Sequence, residues 1–142
     1  MKYNSNFKIK RNHLTPQIYL ELHHQVGFKT YEVEDIQEGL DHDLFDVVVY
    51  DDSFPIGIAR VVGDNRIVFF IKDVIVHPSY QHQGLGDLLM KHVLEYIGTV
   101  ACHDAYIGLM ATPGKETFYE KYGFMRRPNE KFGSGMVMFY ES

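Results

Sequence analysis

The residues best placed to do chemistry in this chain lie in one stretch, Asp73-Val-Ile-Val-His-Pro-Ser-Tyr-Gln-His-Gln-Gly-Leu-Gly-Asp87. Val74, Ile75 and Val76 are consecutive β-branched residues, which favour a buried strand. Pro78 removes a donor and fixes its own backbone, so the strand ends near His77. From Gly84 onward Leu85, Leu88, Leu89, His92 and Val93 recur at helical spacing. A glycine loop that opens a helix leaves backbone N–H groups bare, and together with the helix dipole these favour a phosphate or pyrophosphate. The loop is neither G-x-x-x-x-G-K-[ST] nor G-x-G-x-x-G with an acid about 20 residues on, which argues against a triphosphate P-loop and a dinucleotide fingerprint. Asp73 breaks an otherwise apolar run from Phe69 to Val76, and a carboxylate there is costly to bury unless paired or hydrated.

A second block, Thr117-Phe118-Tyr119-Glu120-Lys121-Tyr122-Gly123-Phe124, follows about 35 residues after the loop. Phe118 and Tyr122 stand at i, i+4 and form an apolar face, with Gly123 as a helix C-cap. Tyr119 lies about 100° round the helix from Phe118. The V-x-V strand with Gln81-His82-Gln83-Gly84-Leu85-Gly86, read as [Q/R]-x-x-G-x-G, and this Phe-Tyr-Glu-Lys-Tyr-Gly-Phe block together resemble the GNAT superfamily of acetyl-CoA-dependent N-acetyltransferases. Carried over residue by residue, the resemblance implies that Val74, Ile75 and Val76 meet the pantetheine arm, with Val74 and Val76 supplying main-chain bonds. It places Gln81, His82, Gln83, Gly84, Leu85, Gly86 and Asp87 at the pyrophosphate, and the Tyr119 hydroxyl on the sulfur as the acid for the departing thiolate.

An alkylamine acceptor with a pKa near 10.4 is neutral in only about 1 molecule in 2,500 at pH 7, so its proton needs an acceptor, directly or through a water. The resemblance to glucosamine-phosphate-type members puts an acid at Asp73. Two roles stay open for it, catalytic base or a bulge carboxylate that bonds backbone or pairs with Lys72. His24, Tyr31 and His103 are weaker candidates on the acceptor side. The eight histidines show no H-E-x-x-H or C-x-x-C spacing, and His23 and His24 point about 100° apart on a helix, so no metal is expected. Cys102 has no base placed near it, which favours direct transfer to the amine over an acyl-cysteine route. Within the enzyme class the alternative acceptor is a protein lysine or N-terminus. From another class comes a module that binds acyl-CoA without turnover.

Composition sets wider bounds. With 142 residues, 45% hydrophobic and 14% aromatic, one folded domain over 1–142 is expected. The net charge is −5, and nine of the 19 acids fall between Glu32 and Asp52 without a Lys or Arg among them. Such a field repels nucleic acid and attracts a cation; it reads either as a solvated surface or as an acidic rim over a site for a cationic amine. No apolar leader or membrane-length run is present, and the single cysteine forms no internal disulfide, all consistent with a cytoplasmic protein that uses no membrane.

These residues need elements to hold them. The chain reads as a strand over 7–11, a helix from Thr15-Pro16 to Gly27, a helix over 33–40, and strands over 43–50, 55–62 and 66–76. A helix over 84–96 ended by Gly98, a strand over 105–110, a helix over 115–122 and a final hairpin of 124–126 with 136–140 follow. This is an α/β order with a mixed, mostly antiparallel sheet of about six to seven strands and about four helices. It is also the order of the GNAT fold. Exposed sheet edges make a homodimer possible.

Overall fold

Val47, Val48 and Val49 sit at the centre of a strand, β2 (Phe45–Asp51), whose residues Phe45 to Tyr50 are all buried. A strand buried on both faces needs a layer on each, and that requirement organises the first of two compact units, Met1–Gly108. The computed structural model describes residues 7–142. The N-terminal stretch 1–6, expected to carry no leader, lies outside them. In chain order the first unit holds β1 (Phe7–Arg11), α1 (Pro16–Val26), α2 (Val33–Leu40), β2, β3 (Phe54–Gly63), β4 (Val68–Val76), a 3-10 turn (Pro78–Tyr80), α3 (Leu85–Val100) and β5 (Tyr106–Gly108). The strands stand in sequence order, antiparallel from β1 to β4, with β5 parallel to β4.

The two faces are separable from neighbouring residues on β3. Ile58 belongs to a cluster with Leu22 of α1, Val48, Tyr50 and Ile75, flanked by Leu14, Ile18, Val26 and Phe28. Gly57, next along and therefore on the opposite face, lies against Leu89 of α3. So α1 covers one face, and α3 the other with Leu85, Leu88, Leu89, Met90, Val93 and Ile97 buried. The α1 ends follow the sequence reading. The Thr15 hydroxyl accepts from the Ile18 N–H at 3.2 Å, Pro16 opens the helix, and Gly27 closes it at φ 71°.

Three expectations are corrected. The helix α3 passes Gly98 and ends at Val100, since a helix of 16 residues tolerates one internal glycine at a cost of about 1 kcal/mol. The sheet has five strands among the described residues, not six or seven. The missing pair is the hairpin of 124–126 with 136–140, in the second unit, Leu109–Ser142. There local bonds draw the chain into a turn: Arg126 pairs with Glu120 at 2.9 Å, Arg127 Nε donates to the Gly133 carbonyl at 2.6 Å, and the Asn129 side chain accepts from the N–H groups of Lys131 and Phe132. Side-chain bonds of this kind compete directly with a strand ladder. The unit's helix, α4 (Glu116–Glu120), is shorter than expected because its last bonds tighten, Tyr122 N–H to Tyr119 O and Gly123 N–H to Glu120 O.

Candidate active site

The break in β4 is the centre of the first unit's site. Ile58 pairs with Ile75 and Arg60 with Lys72, so two steps on β3 oppose three on β4. The extra residue falls at the bulge, where Asp73 adopts φ 57°, a left-handed conformation that Asp tolerates better than most residues. On its other side β4 pairs with β5 only from Val68 to Phe70, opposite Tyr106 to Gly108. Beyond Phe70 that edge of β4 lies outside the described ladder. The His77 N–H bonds Ile56 O of β3 at 2.8 Å. Alternation along a strand then turns the main-chain groups of Val74 and Val76 toward the open edge, and those of Ile75 toward β3. The Gln81 side chain donates to the Val76 carbonyl at 3.4 Å.

From Val76 the chain enters the loop. His77 Nδ1 accepts from the Ser79 N–H at 3.1 Å, and the Tyr80 hydroxyl donates to Asp51 Oδ2 at 2.7 Å, which pins the turn to β2. His82 at φ 65° and Gly84 at φ 81° are left-handed, and Gly84 caps α3 without a side-chain bond. The N–H groups of Leu85 and Gly86, with Asp87 following in the first turn, therefore face outward at the N-terminus of a 16-residue helix. The outer edge of β4 at Val74 and Val76 and the N–H groups at the start of α3 offer main-chain groups suited to a ligand with an amide arm and a pyrophosphate.

Asp73 is held by three cationic groups. Its Oδ1 meets His23 Nε2 at 3.0 Å and Lys72 Nζ at 3.4 Å; its Oδ2 meets Arg60 Nη1 at 3.1 Å. Burial alone would raise its pKa, but the hydrogen bond from His23 and the charges of Lys72, His23 and Arg60 outweigh it and hold it at about 2. His23 Nδ1 faces the Tyr19 carbonyl at 2.7 Å, which can only accept, and its Nε2 faces an ionised carboxylate. The His23 ring thus bridges the α1 backbone and the Asp73 carboxylate. The Tyr19 ring stacks on it, centroids 3.7 Å apart and nearly parallel.

Arg60 also binds Asp43, through Nε at 2.8 Å and Nη2 at 2.7 Å, both to Oδ1. Asp43 Oδ2 is buried with no partner among the described residues. With burial dominant and only one cation opposing it, the Asp43 carboxyl is raised to about 6. Two carboxylates on one guanidinium thus titrate far apart because one has three cations and the other has one. Beside Arg60 lies a cavity of about 210 Å³, lined also by Tyr19, Tyr31, Asp35, Ile36, Gly39 and Leu40. The Tyr19 hydroxyl is raised above its ordinary pKa by burial and then by the Asp73 charge, so it stays protonated.

The sequence singled out Asp73 and Tyr31, and both stand at this site. His24 and His103 are exposed elsewhere on the unit. His23, Arg60, Tyr19 and Asp43 were not singled out. For Arg60 a signal existed: it interrupts the apolar run Ile56-Gly-Ile-Ala-Arg-Val-Val as Asp73 interrupts β4, and opposite charges breaking adjacent strands are natural partners.

In the second unit, Tyr119 on α4 is half-buried between the rings of Phe118, centroids 5.0 Å apart, and Phe124, 6.1 Å. Burial raises its pKa, which keeps the phenol protonated and able to donate. Gly123 at φ 98° stops the helix just after it.

Comparison with known proteins bears on the family and the fold. A model described as the acetyltransferase (GNAT) domain matches residues 42–126. An uncharacterized ycf52-like N-acetyltransferase of Prochlorococcus marinus is 36% identical over 112 residues, 76% of this chain and 61% of that protein. Serotonin N-acetyltransferase 2, chloroplastic, of Oryza sativa subsp. japonica is 30% identical over 128 residues, 86% of this chain and 60% of that protein. The chain thus spans about three-fifths of the length of these two relatives. A Staphylococcus aureus protein of unknown function, named a probable acetyltransferase, superposes with a TM-score of 0.86 at 36% identity over 94% of this chain and 99% of its own. A GNAT-family acetyltransferase of Streptococcus pneumoniae gives 0.78 at 28%, over 96% and 99%. With a bulged strand running into a glycine loop at a helix N-terminus, a family model over residues 42–126 and these relatives at this coverage, the chain belongs to the GNAT acetyltransferase family.

Proposed function

We propose that this chain transfers the acetyl group of acetyl-CoA directly to the primary amine of a small cationic molecule. The observation that carries the reading is the open edge of β4 beyond Phe70, which leaves Val74 and Val76 main-chain groups facing outward and leads into the 81–86 loop. An amide-bearing pantetheine fits that edge as a strand would, and a pyrophosphate fits the N–H groups of Leu85 and Gly86. Acetyl-CoA supplies an activated thioester when bound. By the family resemblance Tyr119 would be the residue that supplies a proton to the departing sulfur.

The cavity beside Arg60 suits the acceptor. Tyr19, Tyr31, Ile36 and Leu40 give it an apolar wall, and Asp35 gives it a carboxylate. Arg60 adds little positive field there, since Asp43 and Asp73 bracket it. An amine with a short apolar or aromatic body matches that lining, and the rice relative is named for such an amine, serotonin. Of the two roles open to Asp73, the anchoring one is favoured: a carboxylate held at about 2 is a poor base for an ammonium of pKa about 10.4. The amine proton leaves through water at the mouth of the cavity.

The test is CoA release from acetyl-CoA, followed with a thiol reagent across polyamines, aminosugars, aminoglycosides, arylalkylamines and lysine peptides. Turnover with one class of small amine is the expected result. Turnover confined to lysine peptides would move the acceptor to proteins. Tight acetyl-CoA binding with no turnover on any amine would make the chain a binding module.

A further inference from the structure

We propose that Arg60 selects the acceptor amine by hydrogen-bonding a second, uncharged oxygen on it: a hydroxyl, a phenol or an amide carbonyl. Among the described residues that line the cavity Arg60 is the cation, and its side chain is only 15% exposed. A guanidinium holds two N–H donors on each of Nη1 and Nη2. Asp43 Oδ1 takes the Nε side at 2.8 Å and stands 2.7 Å from Nη2, and Asp73 Oδ2 takes Nη1 at 3.1 Å. At least one N–H on each of Nη1 and Nη2 is left over, with no other partner among the described residues. The two aspartates fix the planar fork before a ligand arrives, so these donors lose little freedom on binding.

The charge around Arg60 decides which kind of oxygen those donors suit. Asp43 and Asp73 bracket the guanidinium, and Asp35 adds a further carboxylate to the cavity wall. A carboxylate or phosphate on the acceptor would meet acids that already share the cation, and like charges brought together are costly. An uncharged oxygen gains a charge-assisted hydrogen bond without that repulsion. Size narrows the class further. An apolar cavity of about 150 Å³ takes benzene. The cavity of about 210 Å³, walled by Tyr19, Tyr31, Ile36 and Leu40, thus suits one ring or a short chain with its polar ends. The inference rests on the transfer reading only in giving this cavity to the acceptor. A site built to hydrogen-bond a substrate group rejects the analogue that lacks it, because its own donors are left unpaired.

Three amines of one length test this: n-pentylamine without oxygen, γ-aminobutyramide with a neutral carbonyl and γ-aminobutyrate with a carboxylate. The ring pair phenethylamine and tyramine is measured beside them. In at least one of the two sets, kcat/KM for acetyl transfer is expected to favour the neutral oxygen-bearing member over its oxygen-free partner by about ten- to a hundredfold. The amide is expected to exceed γ-aminobutyrate by a similar factor. Arg60→Lys keeps a charge between the aspartates but loses the planar fork, and should bring the preference to within about threefold of parity. Tyr19→Phe and Tyr31→Phe remove the other side-chain hydroxyls on the wall and should keep the preference, which holds the test open even if the Arg60 variant does not fold. Equal kcat/KM within both sets, a best rate with the carboxylate, or a preference lost in either tyrosine variant would overturn the proposal. NMR titration with the same amines separates it from the transfer reading. The same order of affinities without turnover would remove transfer and keep Arg60 as the reader, whereas turnover without any order would do the reverse.

Discussion

Asp73 and Asp43 share Arg60, yet their protons come off at opposite ends of the carboxylate range. Asp73 is held at about 2 against about 3.9 unfolded, so its contribution is fully present above about pH 4 and is lost as pH falls toward 2. That contribution is roughly 2 kcal/mol. Asp43, raised to about 6, behaves in reverse: the folded state holds its proton more tightly, an advantage present below about pH 4 and lost as pH rises through 6. Urea midpoints measured from pH 3 to 8 should therefore show a fall between about 4 and 6 that Asp43→Asn flattens. An unchanged slope in that variant would remove Asp43 as its source. Asp73→Asn strips the charge that balances His23, Arg60 and Lys72, and is expected to cost about 3–5 kcal/mol. Tyr119→Phe keeps the ring packing against Phe118 and Phe124, so acetyl-CoA affinity by calorimetry should hold while kcat falls about 10²–10⁴-fold. Equal turnover by parent and variant across pH 6–9 would assign the acid elsewhere.

Among the elements, two glycines make opposite predictions. Gly63, at φ 148°, ends β3 so close to β4 that a Cβ would sit 2.2 Å from the Val68 carbonyl oxygen. Gly63→Ala should destabilise by about 1–3 kcal/mol. Gly98 stands inside α3 with nothing within 4 Å of an added Cβ, and Gly98→Ala should stabilise by about 0.5–1 kcal/mol in denaturant titrations. The same contrast explains what was legible. Caps and periods placed α1 and α2 because Thr15, Pro16, Gly27 and Val33–Leu40 act locally. Gly98 reads in sequence as a stop because nothing local marks a glycine that tertiary packing will carry through. The loop glycines and Tyr119 were visible as types at a spacing. The Asp73–His23 pair was not, since the two residues are 50 apart in sequence and only the α1 layer over β4 joins them.

At the scale of the molecule, the acidic run divides into two populations. Asp46 accepts from the His13 and Leu14 N–H groups, Asp51 from Tyr80, and Asp43 from Arg60, so these are structural. Glu32, Glu34, Asp35, Glu38 and Asp41 remain exposed on and around α2, next to the cavity, and Asp52 is exposed on the turn after β2. A cationic acceptor should feel that field and a neutral substrate should not. The amine KM is expected to rise as salt goes from low to physiological, while acetyl-CoA KM rises less, and Asp35→Asn should blunt the dependence. No helix among the described residues is long and apolar enough to cross a membrane.

The bulge of β4, and its ladder to β5 ending at Phe70, also set a rhythm in the exchange of its amide hydrogens. Ile75 and His77 turn their N–H groups into the β3 ladder and should exchange slowly in every state. Val74 and Val76 turn theirs to the open edge and should exchange quickly in the free protein. Acetyl-CoA would quench only the second pair, so a period-two pattern of protection that fills in on binding is a readout of the cofactor edge that needs no acceptor.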